Sequence, residues 1–255
     1  MSAYSLILAI GGFLTSASIA TAAPQDRTLN RAEIIRLRKE LIATAQRPSI
    51  VADQPYALQR FARIRELIRS EILTVLNSGV QEPVELIHVL ESVLQDDAKL
   101  PVSFLRKRLN GADNVVVGFT IHYGGRALPN SRVFIEAFRN ETNRYDSVAQ
   151  TGEAMDDSLV KLDELPSPWP GVELWFLAHG QETIKMQYHE KMRIYSFDGY
   201  KFEEKWSSGA KKAPTFKIGR DSLEVTYQQE RGPSMVQKIL ITTAGALESI
   251  SLPKE

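Results

Sequence analysis

Between Asn30 and about Asn110 apolar residues recur every three to four positions, and after Asp113 they recur every second position. The first spacing lays one apolar stripe along a helix and the second gives a strand one apolar face. The chain is therefore expected to be α+β, an N-terminal helical bundle followed by an antiparallel β-meander. Ile34, Leu37 and Leu41, flanked by Ile35 and Ile42, make the first stripe. Asn30-Arg31-Ala32-Glu33 opens it like a capping box, with the Asn side chain able to accept a free amide proton of the first turn. A second helix over 55–77 places Phe61, Ile64, Ile68, Ile72 and Val75 on one side and stops at Ser78-Gly79. A third starts at Glu82-Pro83 and turns Ile87, Leu90 and Leu94 inward, and 101–109 reads as a short fourth helix closed by Asn110-Gly111. Helices joined by loops this short pack as an antiparallel bundle.

In the second half Val115, Val117, Phe119 and Ile121 alternate with Val116, Gly118, Thr120 and His122. Further strands are expected over 132–138, 144–150, 173–179, 191–197, 201–206, 222–228 and 237–242. The organisation that follows is a leader over 1–22, a helical region over 23–111 and a β domain over 112–255.

The β region echoes itself. GFTIHYGGR, ending at Arg126, parallels LWFLAHGQE, ending at Glu182, and each precedes a strand-turn-strand unit, RVFIEAFRNETNRYDSVAQTG and RIYSFDGYKFEEKWSSG. KILITTAGALESI, from Lys238, is a shorter echo. Asp198-Gly199 is the strongest hairpin signal among them, because both turn positions need φ above zero. The unit resembles a blade of the β-propeller repeats of exported bacterial proteins, best over 193–209. The stretch LPSPWPGVELWFLAHG is similar to one that precedes such hairpins in exported bacterial proteins. GGRALPNSRVFI resembles the opening of carboxypeptidase-regulatory-type sandwich modules, although Thr151-Gly152-Glu153-Ala154-Met155-Asp156 stands where those carry D-x-x-G-x-F. None of these likenesses implies an activity or a catalytic residue. At roughly 45 residues per blade the region holds about three units, and closed propellers need about four. A sandwich or partly open barrel is expected ahead of propeller-like sheets, with the helices on one face or standing apart.

Composition narrows the setting. The 255 residues are 43% hydrophobic and 24% charged, with 31 basic side chains against 31 acidic ones and no cysteine. Disulfides, thiolate metal sites and cysteine nucleophiles are excluded together, and zero net charge gives no field to gather nucleic acid. Residues 1–25 hold no charged side chain, and an apolar run from Leu6 to Leu14 leads to Ala20-Thr21-Ala22. That layout predicts a secretory signal cut after Ala22 and a secreted or periplasmic product with no stable membrane span after its removal.

The candidate chemistry is sparse. His88, His122, His179 and His189 lack the i, i+4 spacing of a zinc helix, and no G-x-S-x-G is present. No catalytic residue, metal or cofactor is assigned. Glu153, Asp156, Asp157, Asp163 and Glu164 crowd what reads as one long loop from Gly152 to Gly171. The same stretch contains Pro166-Ser167-Pro168-Trp169-Pro170-Gly171, whose prolines stiffen the backbone around one tryptophan, as recognition surfaces do. Trp169, Asp156, Asp157 and Asp163 are therefore the candidate ligand-binding residues of a non-enzymatic binding or envelope-associated module. Its partner would be a protein or a glycan, and assembly into an oligomer stays open. The alternative is a hydrolase of polysaccharide or peptidoglycan that uses paired acids from this stretch. Arg60, Arg63, Arg65 and Arg69 give the second helix a basic flank, expected to be solvated and paired with Glu66.

Overall fold

The computed structural model describes residues 24–45, 54–79, 83–94, 102–122, 131–151, 158–184, 187–229 and 232–254. The expected signal and the candidate acids Asp156 and Asp157 lie outside these residues. Among the described residues three helices come first, α1 (Pro24–Ala45), α2 (Gln54–Asn77) and α3 (Pro83–Leu94), and antiparallel strands follow. No helix among the described residues is long and apolar enough to cross a membrane.

The strands form three successive four-stranded meanders. The first is β1 (Ser103–Leu109), β2 (Ala112–His122), β3 (Ser131–Asn140) and β4 (Tyr145–Gln150), a sheet by itself in that order. The second is β5 (Ser158–Leu165), β6 (Leu174–Ile184), β7 (Gln187–Phe197) and β8 (Phe202–Ser207); the third is β9 (Lys211–Ile218), β10 (Ser222–Gln228), β11 (Ser234–Ile241) and β12 (Leu247–Pro253). His189 and Glu190 of β7 pair with Lys212 and Lys211 of β9, which joins the second and third meanders into one eight-stranded sheet.

Alternation along each strand decides what lies between the layers. Val115, Val117, Phe119, Phe134 and Phe138 face the helices and meet Ile34, Leu41, Phe61, Ile64, Ile68 and Ile72. Val116, Val133, Ile135 and Ala137 face the other way, onto Leu162, Leu174, Phe176 and Phe197 of the second meander. The opposite face of that meander, Trp175, Leu177, Met192 and Ile194, packs on Leu223, Val225, Ile239 and Ile241 of the third. The order through the molecule is thus helices, first, second and third meander, with three separate cores between them. The apolar stripe read in the second helix, from Phe61 to Val75, is buried throughout.

Several local expectations are corrected. Residues 103–109 are the strand β1 rather than a fourth helix, so pleated structure begins before Asp113. Asn110 and Gly111 have φ of 50° and 80°, the left-handed pair of a tight hairpin. The Asn-Gly that can end a helix here reverses a strand. Phe104 packs toward the helices and Leu105 and Leu109 toward the second meander, but the run Arg106-Lys107-Arg108 masks that alternation. The stretch from Gly152 to Gly171 is not one loop, since β5 occupies 158–165 of it. Among the described side chains of α3, Leu86 and Leu90 are buried and Ile87 only partly so, while His88 is exposed.

The basic flank of α2 pairs with Glu66 as expected, through Arg63 at 3.3 Å, but most of it is engaged by other elements. Arg65 and Arg69 both donate to Glu136 of β3, which is fully buried, Arg69 Nε at 2.7 Å. Arg69 additionally donates to Gln150 of β4 at 2.8 Å. Arg63 and Arg60 pair with Glu33 and Glu40 of α1 at 3.0 and 2.8 Å. This row of arginines fixes α2 between α1 and the first sheet.

Candidate functional site

Because each meander runs up and down, alternate turns fall at one end of it. In the first meander these are 110–111 and 141–144, brought level by the pairing of Asp113 with Asn140. In the second they are 166–173 and 198–201, and in the third 219–221 and 242–246. Backbone and side-chain bonds tie the four turns of the first two meanders together, and one bond joins the end of β11 to the 219–221 turn within the third. Asn110 N–H donates to Gly171 O at 2.8 Å, and its side-chain amide to Asp198 O at 3.4 Å. Ile241 N–H donates to Asp221 O at 2.8 Å. Tyr200 hydroxyl donates to Glu141 at 2.6 Å, and the Arg139 guanidinium lies over the Tyr200 ring.

Exposed apolar side chains gather at this end. Trp169, Val172 and Tyr200 are 39%, 49% and 56% exposed. Trp169 lies on the third meander: a Cβ at Gly245 would strike its Cη2 and Cζ3 atoms, and Gly245 holds φ at 73°. Only glycine lets the indole sit that close and the turn adopt that conformation. The backbone at Trp169 is tied as well, its N–H donating to Ser167 Oγ and its carbonyl accepting from Val172 and Glu173. Gly199 leaves room for the Arg139 guanidinium that lies over the Tyr200 ring, since a Cβ there would come within 2.5 Å of Arg139 Nη1. Hydrogen bonds from Tyr200 and Arg139 hold the Glu141 carboxyl below the ordinary carboxylate range, so it stands as a fixed anion beside the Tyr200 ring.

At the root of the same end, Asp113 accepts from the Arg106 guanidinium and from the Tyr145 hydroxyl. Burial alone would raise its pKa, but these two hydrogen bonds, with the charges of Arg106 and Arg108, hold it below the usual value. Burial, then the bond to Asp113, pushes the Tyr145 hydroxyl up to about 12. A carboxyl depressed in the fold stabilises it above the unfolded pKa of about 3.9, and that contribution is lost as pH falls through the folded value. Asp113→Asn is expected to remove it: urea titrations at falling pH should show the wild type losing its advantage over the variant below about pH 4.

The two described acids of the 152–171 stretch, Asp163 and Glu164, do not converge. Glu164 points toward the first meander and pairs with Lys107 at 2.6 Å. Asp163 points to the opposite face, where it pairs with Lys161 and lies 3.1 Å from His179 Nε2. On the other side of that imidazole, Nδ1 is 3.7 Å from Glu190 Oε2, and the Phe216 ring stands edge-on at 4.7 Å between centroids. Asp163 and Glu190 thus flank one histidine ring, which fills the space that a water and a glycosidic bond would need between two catalytic acids. No group of three histidine or carboxylate side chains among the described residues could hold a metal ion. Of the candidate residues, the structure sets Trp169 at the turn end and Asp163 on a strand inside the β region. From the sequence, Tyr200 and Glu141 take no role at a site and Asn110 reads as a helix stop; the Asp198-Gly199 hairpin signal is the cue that Tyr200 stands on a tight turn.

No protein-family model matches the chain, and no curated protein matches it significantly. Among solved structures it is similar to a mutant α-L-arabinofuranosidase of Fusarium graminearum in complex with an iminosugar inhibitor, at 12% identity and a TM-score of 0.35. That match takes in 60% of this chain and 48% of the other, so the chain spans about half the enzyme's length. A likeness this distant carries no argument about architecture or activity.

Proposed function

We propose that the protein is an exported, non-enzymatic binding module whose contact surface is the shared turn end of its three meanders, and that its ligand is a glycan. One observation carries the reading: two solvent-facing rings, Trp169 and Tyr200, each seated on a neighbouring turn that fixes it. Rings held in place lose little conformational freedom on binding and offer flat apolar faces for the C–H side of a sugar. Fixed polar groups beside them, Glu141, Asn110 and Asp198, suit the hydroxyls. Export is expected from the leader-like residues 1–25. The acid geometry around His179 gives the hydrolase reading no support.

A glycan array probed with the protein lacking residues 1–22 tests this, beside the double variant Trp169→Ala, Tyr200→Ala. Specific sugars retained by the wild type and lost by a variant of unchanged melting temperature support the reading. An array without hits, or hits shared by both proteins, goes against it.

A further inference from the structure

Strand β12 ends its sheet, and among the described strands it pairs with β11 alone. The register decides which of its backbone groups stay open. Lys254 N–H donates to Ser234 O at 2.8 Å, so Glu248, Ile250 and Leu252 turn their amides and carbonyls toward β11. Leu247, Ser249 and Ser251 turn theirs to the free edge, and Pro253 falls in that outward set, where its missing N–H breaks no bond to β11. The side chains of Glu248, Ile250 and Leu252 project from the face opposite the third core, to which Leu247 belongs. Ile250 and Leu252 are 51% and 60% exposed. An open strand edge with apolar side chains beside it is a template for pairing with another strand.

Reversed about Ser251, the sequence of this edge, E-S-I-S-L-P-K from Glu248 to Lys254, complements itself: acid falls on base, Ile on Leu and Ser on Pro. We infer that the protein forms a two-fold symmetric dimer through antiparallel pairing of β12 with β12 of a second copy, the axis passing through Ser251. In that register the two Ser251 residues exchange both of their outward hydrogen bonds. Each Ser249 N–H meets the Pro253 carbonyl of the second copy. Ile250 faces Leu252 of the second copy, and Glu248 faces its Lys254, each pairing occurring twice. Moving the axis to Ser249 sets Ile250 against Glu248, an apolar side chain against a charge, so the pattern selects the Ser251 register. The same patch meets itself, which closes the assembly at two copies.

Sedimentation equilibrium of the protein lacking residues 1–22 across the micromolar range tests this. The wild type is expected to be dimeric. Ser251→Pro, which removes an outward amide and no bond to β11, should give a monomer with unchanged circular dichroism and melting temperature. Glu248→Lys should raise the dimer dissociation constant on the order of tenfold by opposing like charges at both pairs. Adding Lys254→Glu to it should restore wild-type association. A wild type that stays monomeric, a dimer indifferent to Ser251→Pro in a folded variant, or a charge swap that fails to restore association would each overturn the inference.

Discussion

Glu136→Ala is expected to destabilise the protein by about 3–5 kcal/mol, the usual consequence of removing one partner from a buried ion pair. Glu136 is fully buried and accepts from both Arg65 and Arg69, whose side chains are 11% and 27% exposed. Without the carboxylate, two guanidinium groups stay held against the first sheet with no anion, and Arg65 Nη2 already lacks a partner. Urea unfolding should show a lowered midpoint, and hydrogen exchange should show α2 opening before the strands of the second and third meanders. Replacing Arg65 and Arg69 with methionine and Glu136 with leucine at once should recover most of the loss, because an apolar set removes the stranded charges as well as the pair. A single Glu136→Ala cost below about 1 kcal/mol would mean that the triad is solvated and does not fix the helices.

Phe176→Ala should cost about as much, ~3–5 kcal/mol, for a different reason. Phe176 is fully buried between the first and second meanders, stacked on Tyr195 at 5.6 Å and edge-on to Phe202 at 6.0 Å. Truncation leaves a cavity between two sheets whose hydrogen-bonded backbones cannot close in to fill it. Phe176→Leu, which keeps most of the volume, should cost markedly less. Equal costs for the two variants in urea titrations would show that the layer collapses around the vacancy.

Periodicity made the larger divisions legible: the buried stripe of α2 and the alternation of β2, β3 and β10 stand in the structure where the spacing puts them. The reading failed where charge diluted the pattern or where one dipeptide serves two purposes. In β1 three consecutive basic residues hide the inward Leu105 and Leu109, and Asn110-Gly111 caps a helix as readily as it turns a hairpin. In β5 the acids Asp163 and Glu164 and the basic Lys161 resemble a loop, because the partners that make them acceptable in a strand, His179 and Lys107, lie far along the chain. The Arg65, Arg69 and Glu136 triad was out of reach for the same reason. Trp169 could be singled out by its flanking prolines, but the meeting of its turn with Asn110 and Gly245 belongs to the stacking of meanders and leaves no local trace.

The turn end is the proposed place where ligand is held. Isothermal titration calorimetry with the oligosaccharide that binds best on the array tests this most directly, comparing the wild type with Trp169→Ala, Tyr200→Ala. Loss of two anchoring rings should weaken Kd by about 10- to 100-fold, with both proteins melting at the same temperature. Equal affinities for the two proteins, or new reducing ends released from the oligosaccharide by the wild type, would contradict it.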